Sequence, residues 1–269
     1  MSLARRTQER LLAMKAASAP APGSGHTIPT AAAPAAVDHV RAAQRPGGSV
    51  AATIAMRLTH DLRRLSEIKA IDKKVAAKRE MMPEYLPWID GVLEAGRCTN
   101  GNRLGPTGAD LVLPTIMIWS IDIGDWARAL ELAAHVIRFG VAIPKQYARD
   151  VHTLVLEEIA VAALKVQAKG ERFPLDVLEA VEELTLGVDM HDEPRAKLMK
   201  AIGTELVAAA NGATADQAGD LADRALAKLQ RAQDLHDRVG VKAQIKGLVK
   251  LRAALPALDT EQAGTPPVA

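Results

Sequence analysis

Apolar residues recur every three or four positions between Ile54 and Val75 and form one stripe along a helix face. The stripe consists of Ile54, Leu58, Leu62, Leu65, Ile68, Ile71 and Val75. Its mean spacing of about 3.5 residues is that of a coiled-coil seam. The pattern predicts a single helix over residues 54–80, roughly 40 Å long, which Pro83 and Pro87 bring to an end.

Beyond Pro87 the same spacing predicts a succession of shorter helices. Pro87 begins the first of them and Gly96 closes it, and the glycines that follow indicate a loop over residues 96–110. Asp125 is suited to cap a helix that stops at Gly140. The remaining predicted helices lie at about 111–121, 149–168, 175–186, 193–209, 217–238 and 241–255.

A weak internal similarity lies within this array. Residues 124–131 are similar to the first helix of a tetratricopeptide repeat, and residues 225–232 echo them, with small alanines that let paired helices approach closely. Aromatic residues make up only 3% of the chain, which argues against a β-sandwich. We therefore expect an all-α fold, in which a long basic N-terminal helix precedes a helical-hairpin bundle of tetratricopeptide-like character.

The net charge of +2 conceals an asymmetry along the chain. Residues 1–80 hold 14 Lys and Arg against 6 Asp and Glu, so the remainder is acidic on balance. A basic end joined to an acidic body indicates that the basic end binds a polyanion.

The basic face of the predicted helix supplies the candidate DNA-binding residues. They are Arg57, Arg63, Arg64, Lys69, Lys73, Lys74, Lys78 and Arg79. Cations on one long helix can follow a phosphate backbone while the apolar stripe pairs with a second copy of the chain. The alternative is an ordinary solvated face of a surface helix.

Four segments follow from these patterns. Residues 16–50 are rich in proline, glycine, alanine and serine and cannot bury enough apolar surface to order themselves. We expect a disordered basic arm and linker at 1–50 and a basic amphipathic helix for oligomerisation and DNA binding at 51–82. The helical body occupies 83–255, and a disordered tail occupies 256–269.

No catalytic constellation stands out, so the catalytic residues are unknown and no metal site is predicted. The chain has no P-loop and no dinucleotide fingerprint, which argues against an ATPase. Acidic residues near Glu67 and Asp72 are explained by pairing within a helix, and those at Asp189–Glu193 by a helix cap in which Asp192 precedes the first turn. Cys98 is the only cysteine and is interpreted as an incidental thiol.

The aromatic residues all lie between Tyr85 and Phe173. Tyr85, Trp88, Trp119 and Trp126 would suit a platform on which bases stack. Core packing is the preferred interpretation, because Trp119 and Trp126 have apolar helical neighbours. No apolar run reaches the roughly 18 residues that span a bilayer, so we expect no membrane association and a cytoplasmic location.

Several segments together resemble one family, the small terminase subunit of tailed phages that package DNA with cohesive ends. The segments are 86–94 (LPWIDGVLE), 116–131 (IMIWSIDIGDWARALE), 139–144, 195–198, 229–232 and 239–242. The likeness covers about residues 50–255. Two features depart from the family: residues 97–108 have the character of an insertion, and the C-terminus lacks a long basic tail.

The resemblance implies a subunit that binds cohesive-end sites on concatemeric double-stranded viral DNA and works with a large ATPase subunit. It also implies a homo-oligomer in the bacterial host cytoplasm. The family is commonly named an endonuclease subunit, which leaves a second hypothesis open: that this chain makes the staggered cut itself, with Mg²⁺ as cofactor. A third is a helical adaptor that contacts only protein.

Overall fold

A computed structural model of the chain describes residues 46–99, 110–144, 147 and 149–254. Those residues contain ten α-helices and no strand, which confirms the all-α prediction. The tetratricopeptide-like character is not confirmed. The predicted N-terminal arm up to residue 45, most of the loop 96–110 and the tail from residue 255 lie outside the described residues.

The chain divides into two compact units, the first ending at Val151 and the second beginning at His152. The first unit contains five α-helices and a short 3₁₀ turn at Met82–Glu84. The helices are α1 (Pro46–Glu67), α2 (Ile71–Met81), α3 (Leu86–Arg97), α4 (Val112–Ile123) and α5 (Trp126–Phe139).

The predicted single helix over 54–80 is wrong, because residues 68–70 are not helical and separate α1 from α2. Ala70 is extended, with φ −73° and ψ 134°, and precedes α2. The buried residues of α2 include Ala77 and Met81, which are out of phase with the stripe of α1. The break therefore lets α2 turn a different face inward, and Ile71 is left 49% exposed.

Helix α4 forms the centre of the first unit. Every residue from Val112 to Ile121 is buried, as expected of a helix that is apolar on all sides. Pro114 is tolerated because it lies in the first turn, where backbone N–H groups have no partner within the helix. Helices α1, α2 and α5 all pack against α4.

Local signals place the ends of α5 where the sequence predicted them. The carboxylate of Asp125 accepts a hydrogen bond from the backbone N–H of Arg128 at 3.2 Å, which caps the helix. Gly140 has φ 60° and ends it in the left-handed conformation. Gly96, by contrast, lies inside α3 and does not close it: a Cβ there would come within 2.5 Å of His135 on α5. Gly96 therefore permits the close approach of these two helices.

The second unit contains five helices at nearly the predicted positions. They are α6 (Val151–Gln167), α7 (Leu175–Leu184), α8 (Asp192–Gly212), α9 (Ala215–Leu235) and α10 (Lys242–Ala254). Asp192 is the first residue of α8, and His191 holds the cap position that was predicted for Asp192.

The hairpin of α8 and α9 has the most extensive packing in the second unit. The buried residues of α9 alternate in steps of four and three, the spacing of a coiled-coil seam. They are Ala218, Ala222, Ala225, Leu229 and Ala232. Because four of the five are alanines, the two helix backbones can lie close together. Gly203 on α8 provides the tightest contact, against Leu229.

A buried carboxylate connects the turn after α6 to α8. Glu205 is 1% exposed and accepts hydrogen bonds from the side chain of Gln167, the guanidinium of Arg172 and the backbone N–H of Phe173, at 2.6–2.9 Å. These three donors supply the polar partners that a buried carboxylate requires. Glu205 therefore has a structural role in fixing this turn.

Candidate nucleic-acid interface

Much of the apolar stripe on α1 is buried inside the first unit. Ile54, Leu58 and Leu65 are 5–8% exposed, because α1 packs on α2 and α4. This half of the stripe is therefore not available for the predicted pairing with a second copy. The large apolar side chains that α1 and α2 leave exposed are Val50, Met56 and Ile71.

Two of the candidate DNA-binding arginines form surface ion pairs that helical spacing does not predict. Arg57 donates to Glu84 at 2.8 Å, and Arg64 donates to Glu80 at 3.0 Å. All four side chains are at least 42% exposed, so each pair is worth only a few tenths of a kcal/mol to about 1 kcal/mol. A phosphate can therefore replace the carboxylate at little cost.

Two further candidates hold α2 against the end of α4. The ammonium of Lys78 bonds the carboxylate of Asp122, and its side chain is only 16% exposed. The guanidinium of Arg79 donates to the backbone carbonyl of Ile123 at 3.1 Å. This carbonyl belongs to the last turn of α4, where backbone acceptors lack partners within the helix. Both cations therefore have structural partners.

Lys74 lies on the inner side of α2 and is only 9% exposed. Burial lowers the pKa of its ammonium, and the neighbouring charge of Lys78 lowers it further. This position is unfavourable for contact with a phosphate backbone.

The remaining three candidates lie around the break between α1 and α2. Arg63 is near the end of α1, Lys69 is in the break, and Lys73 is in the first turn of α2. All three are exposed, and none of them forms an ion pair with the part of the chain that the structure describes. They are therefore accessible to an external anion. We call Arg63, Lys69 and Lys73 the hinge cations.

Core packing, the preferred interpretation, is confirmed for two of the four aromatic residues, Tyr85 and Trp119. Tyr85 is fully buried and Trp119 is 2% exposed, and their rings meet edge to face with centroids 5.8 Å apart. Trp88 and Trp126 are half-buried. Buried rings cannot stack on bases, so Tyr85 and Trp119 do not form a platform for single strands.

A cleft between α3 and α5 has a volume of about 160 Å³. Its apolar wall includes Leu93 and Phe139, and its polar groups include Arg97, Glu131 and His135. Arg97 is already paired with Glu131, and with Glu94 on its own helix. The bond to Glu94 raises the pKa of Arg97, and bonds from Arg97 and then from Cys98 lower the pKa of Glu94.

The described residues contain no group of three or more His, Cys, Asp or Glu side chains that could hold a metal ion. Mg²⁺ at a nuclease site is commonly held by one or two carboxylates together with phosphate oxygens of the nucleic acid. None of the described helices has the length and apolar character needed to cross a membrane.

Comparison with known proteins gives two consistent results. The sequence model of one protein family, described as the phage small terminase subunit, matches residues 55–193. Among curated proteins, the "Terminase, endonuclease subunit" of Escherichia phage P2 is 39% identical over 193 residues, which cover 72% of this chain and 70% of that protein.

A second curated protein is more distant. The "Probable terminase, endonuclease subunit" of Haemophilus phage HP1 is 22% identical over 227 residues, or 82% of this chain and 78% of that protein. No solved structure matches the chain.

Proposed function

The chain belongs to the phage small terminase subunit family, and from that membership we propose that it binds cohesive-end sites on concatemeric double-stranded viral DNA. In this proposal it presents the DNA to a large ATPase subunit, which drives packaging. The chain acts as a homo-oligomer in the cytoplasm of the bacterial host.

The proposal that the chain binds DNA rests on the hinge cations. Arg63, Lys69 and Lys73 are exposed around one break in the helix and have no ion-pair partner among the described residues. Binding to a duplex releases counterions from the phosphates that such cations neutralise, which favours association. The exposed pairs of Arg57 and Arg64 can add to this surface by exchanging carboxylate for phosphate. Lys78 and Arg79 contribute mainly to the stability of the first unit, and burial removes Lys74 from the DNA-binding surface.

Self-association must use surfaces other than the buried half of the stripe. Val50, Met56 and Ile71 are large apolar side chains that α1 and α2 leave on the surface, at 49–74% exposure. Burial of these side chains between copies would remove apolar surface from water, and we propose that they contribute to the interface between copies.

Cleavage by this chain is a second candidate function, and the names of both curated relatives support it. The reaction would require Mg²⁺ bound by carboxylates. Incubation of the purified chain with cohesive-end DNA and Mg²⁺, without the large subunit, tests this directly. Staggered cleavage would establish the activity, and intact DNA would exclude an autonomous nuclease.

A salt titration of DNA binding tests the first function. We compare the full chain with Lys69→Gln/Lys73→Gln and with the matched control Lys165→Gln/Lys169→Gln, which removes two exposed lysines at the same spacing from the second unit. For each phosphate that the hinge variant no longer neutralises, the slope of log affinity against log salt should become shallower by about 0.9.

The control should keep the slope of the unaltered chain. Equal slopes in all three proteins would contradict a role for the hinge cations. No binding by the unaltered chain at low salt would contradict the function itself and would favour the protein-only adaptor.

A further inference from the structure

The last helix of the second unit, α10, differs in charge from the unit that carries it. It contains four Lys or Arg residues and no Asp or Glu. The residues from His152 onward are otherwise mildly acidic. This concentration of cations is a local feature of one helix.

The three lysines of α10 lie on its outer side. Val241 and Leu248 are 0–2% exposed and mark the face that packs on the unit. Lys242, Lys246 and Lys250 follow one another at intervals of four residues and are all exposed. Side chains at this spacing lie one above another on a helix surface, about 6 Å apart along the axis. We call these three residues the lysine ridge.

None of the acidic side chains that the structure describes in the second unit pairs with the lysine ridge. Arg252, on another side of α10, pairs with Asp223 at 3.0 Å. Other cations of the unit are paired as well: Arg224 with Glu179, and Lys228 with Glu182. No member of the ridge forms an ion pair with the described residues. Like charges at this spacing destabilise an isolated helix, so the arrangement is unfavourable without an anionic partner.

We propose that the lysine ridge is a second contact for the phosphate backbone of duplex DNA, separate from the hinge cations. The proposal rests on the DNA-binding function proposed above. Three lysines in line over about 12 Å suit a polyanion whose charges repeat along an axis.

The neighbours of the ridge favour DNA over an acidic protein. Ala243 and Gly247 are exposed beside it, and the one large apolar side chain that α10 exposes is Val249. Protein–protein interfaces instead bury aromatic or Arg side chains at their centre, and lysine is depleted there. The ridge offers point charges without such an anchor.

The test uses the full chain and a duplex that contains a cohesive-end site. Lys246→Gln/Lys250→Gln is compared with Lys165→Gln/Lys169→Gln, which changes the net charge equally, and with Lys69→Gln/Lys73→Gln. Far-ultraviolet circular dichroism checks that each variant keeps its helix content. The ridge variant should show a salt slope shallower by about 0.9 for each phosphate that it no longer neutralises, and the Lys165/Lys169 control should not.

Different results separate the two proposals. If the ridge variant has the same salt slope and DNA affinity as the unaltered chain, the proposal for the lysine ridge is overturned, even if the hinge variant binds DNA more weakly. An equal loss in the ridge variant and the control also overturns it, because a long-range charge effect then explains both. Loss of binding to the purified large subunit with DNA binding intact assigns the ridge to a protein partner and overturns the proposal. If the unaltered chain does not bind DNA, the proposed DNA-binding function itself is contradicted, and with it both sites.

Discussion

The hydroxyl of Tyr85 donates a hydrogen bond to the carboxylate of Asp61 at 2.7 Å in the interior of the first unit. Tyr85 lies just before α3 and Asp61 lies within α1, so the bond connects segments 24 residues apart. Burial raises the pKa of the Tyr85 hydroxyl, and the bond to Asp61 raises it further. The hydroxyl therefore remains a donor throughout the pH range in which the protein is handled.

Replacement of Tyr85 by Phe should reduce the free energy of unfolding by about 1.5–3 kcal/mol. The ring stays in place against Trp119, but the buried carboxylate of Asp61 loses its donor. Urea denaturation measures the change. In an Asp61→Asn background the same replacement should cost much less, and equal costs in both backgrounds would show that the hydrogen bond is not the cause.

Replacement of Lys78 by Gln should affect stability and leave DNA binding nearly unchanged. Its partner Asp122 lies at the end of α4, and loss of the ion pair should cost up to about 1 kcal/mol. Lys73→Gln is the matched change on the same helix, at an exposed position without an ion pair in the described residues. Lys73→Gln should weaken DNA binding and leave the free energy of unfolding nearly unchanged. A salt slope that changes for Lys78→Gln and not for Lys73→Gln would contradict the assignment of these two lysines.

Replacement of Gly203 by Ala should destabilise the second unit. A Cβ at this position would lie 2.5 Å from Cδ2 of the buried Leu229, so α8 and α9 would have to move apart. Overpacking of this kind costs about 1–3 kcal/mol, which exceeds or offsets the gain of about 1 kcal/mol from removing a helical glycine.

Gly247→Ala in α10 is the control for Gly203→Ala, because nothing lies within 4 Å of its added Cβ. This change should raise the free energy of unfolding by about 0.5–1 kcal/mol. Thermal or urea unfolding of both variants measures the contrast, and two stabilised proteins would disprove the close contact at Gly203.

His135 should make the first unit less stable in mild acid. Burial lowers the pKa of its imidazole from 6.5, and the charge of Arg138 lowers it further, although Glu131 acts in the opposite direction. Below about pH 6.5 the unfolded chain therefore takes up a proton that the folded chain resists. The stabilising effect of the neutral imidazole is present above that pH and is lost as the pH falls.

The comparison with His135→Gln isolates this effect, since all other titrating groups are shared. The free energy of unfolding should fall more steeply in the unaltered chain than in the variant between about pH 7 and pH 5.5. Parallel pH profiles would show that His135 does not titrate differently on folding.

Helices with strong local signals could be predicted from the sequence. Helix α5 illustrates this, since Asp125 caps it and Gly140 ends it as predicted. The break at residues 68–70 carries no such signal: Ile68 and Ile71 continue the apolar spacing, and alanine at position 70 favours a helix. Beyond the break α2 packs against α4, and local spacing does not reveal such long-range contacts.

In the candidate site, too, some features could be predicted from the sequence and others could not. The identity of the basic residues was evident from the sequence, but the partners of those residues were not. Lys78 and Asp122 are 44 residues apart, and Arg57 and Glu84 are 27 apart, so neither pair follows from helical spacing. The structure was therefore needed to separate the basic residues that have carboxylate partners from the hinge cations, which have no ion pair among the described residues.

The break between α1 and α2 also determines how this part of the molecule can change in length. In an uninterrupted helix, one inserted residue rotates everything that follows by about 100° and turns the buried face outward. Residues 68–70 lie outside both helices, so a length change there need not alter the rotation of α2. Ala77 and Met81 could keep their buried positions while Lys69 moved. A change in the length of this segment would therefore alter the spacing of the basic surface without loss of the core that supports it.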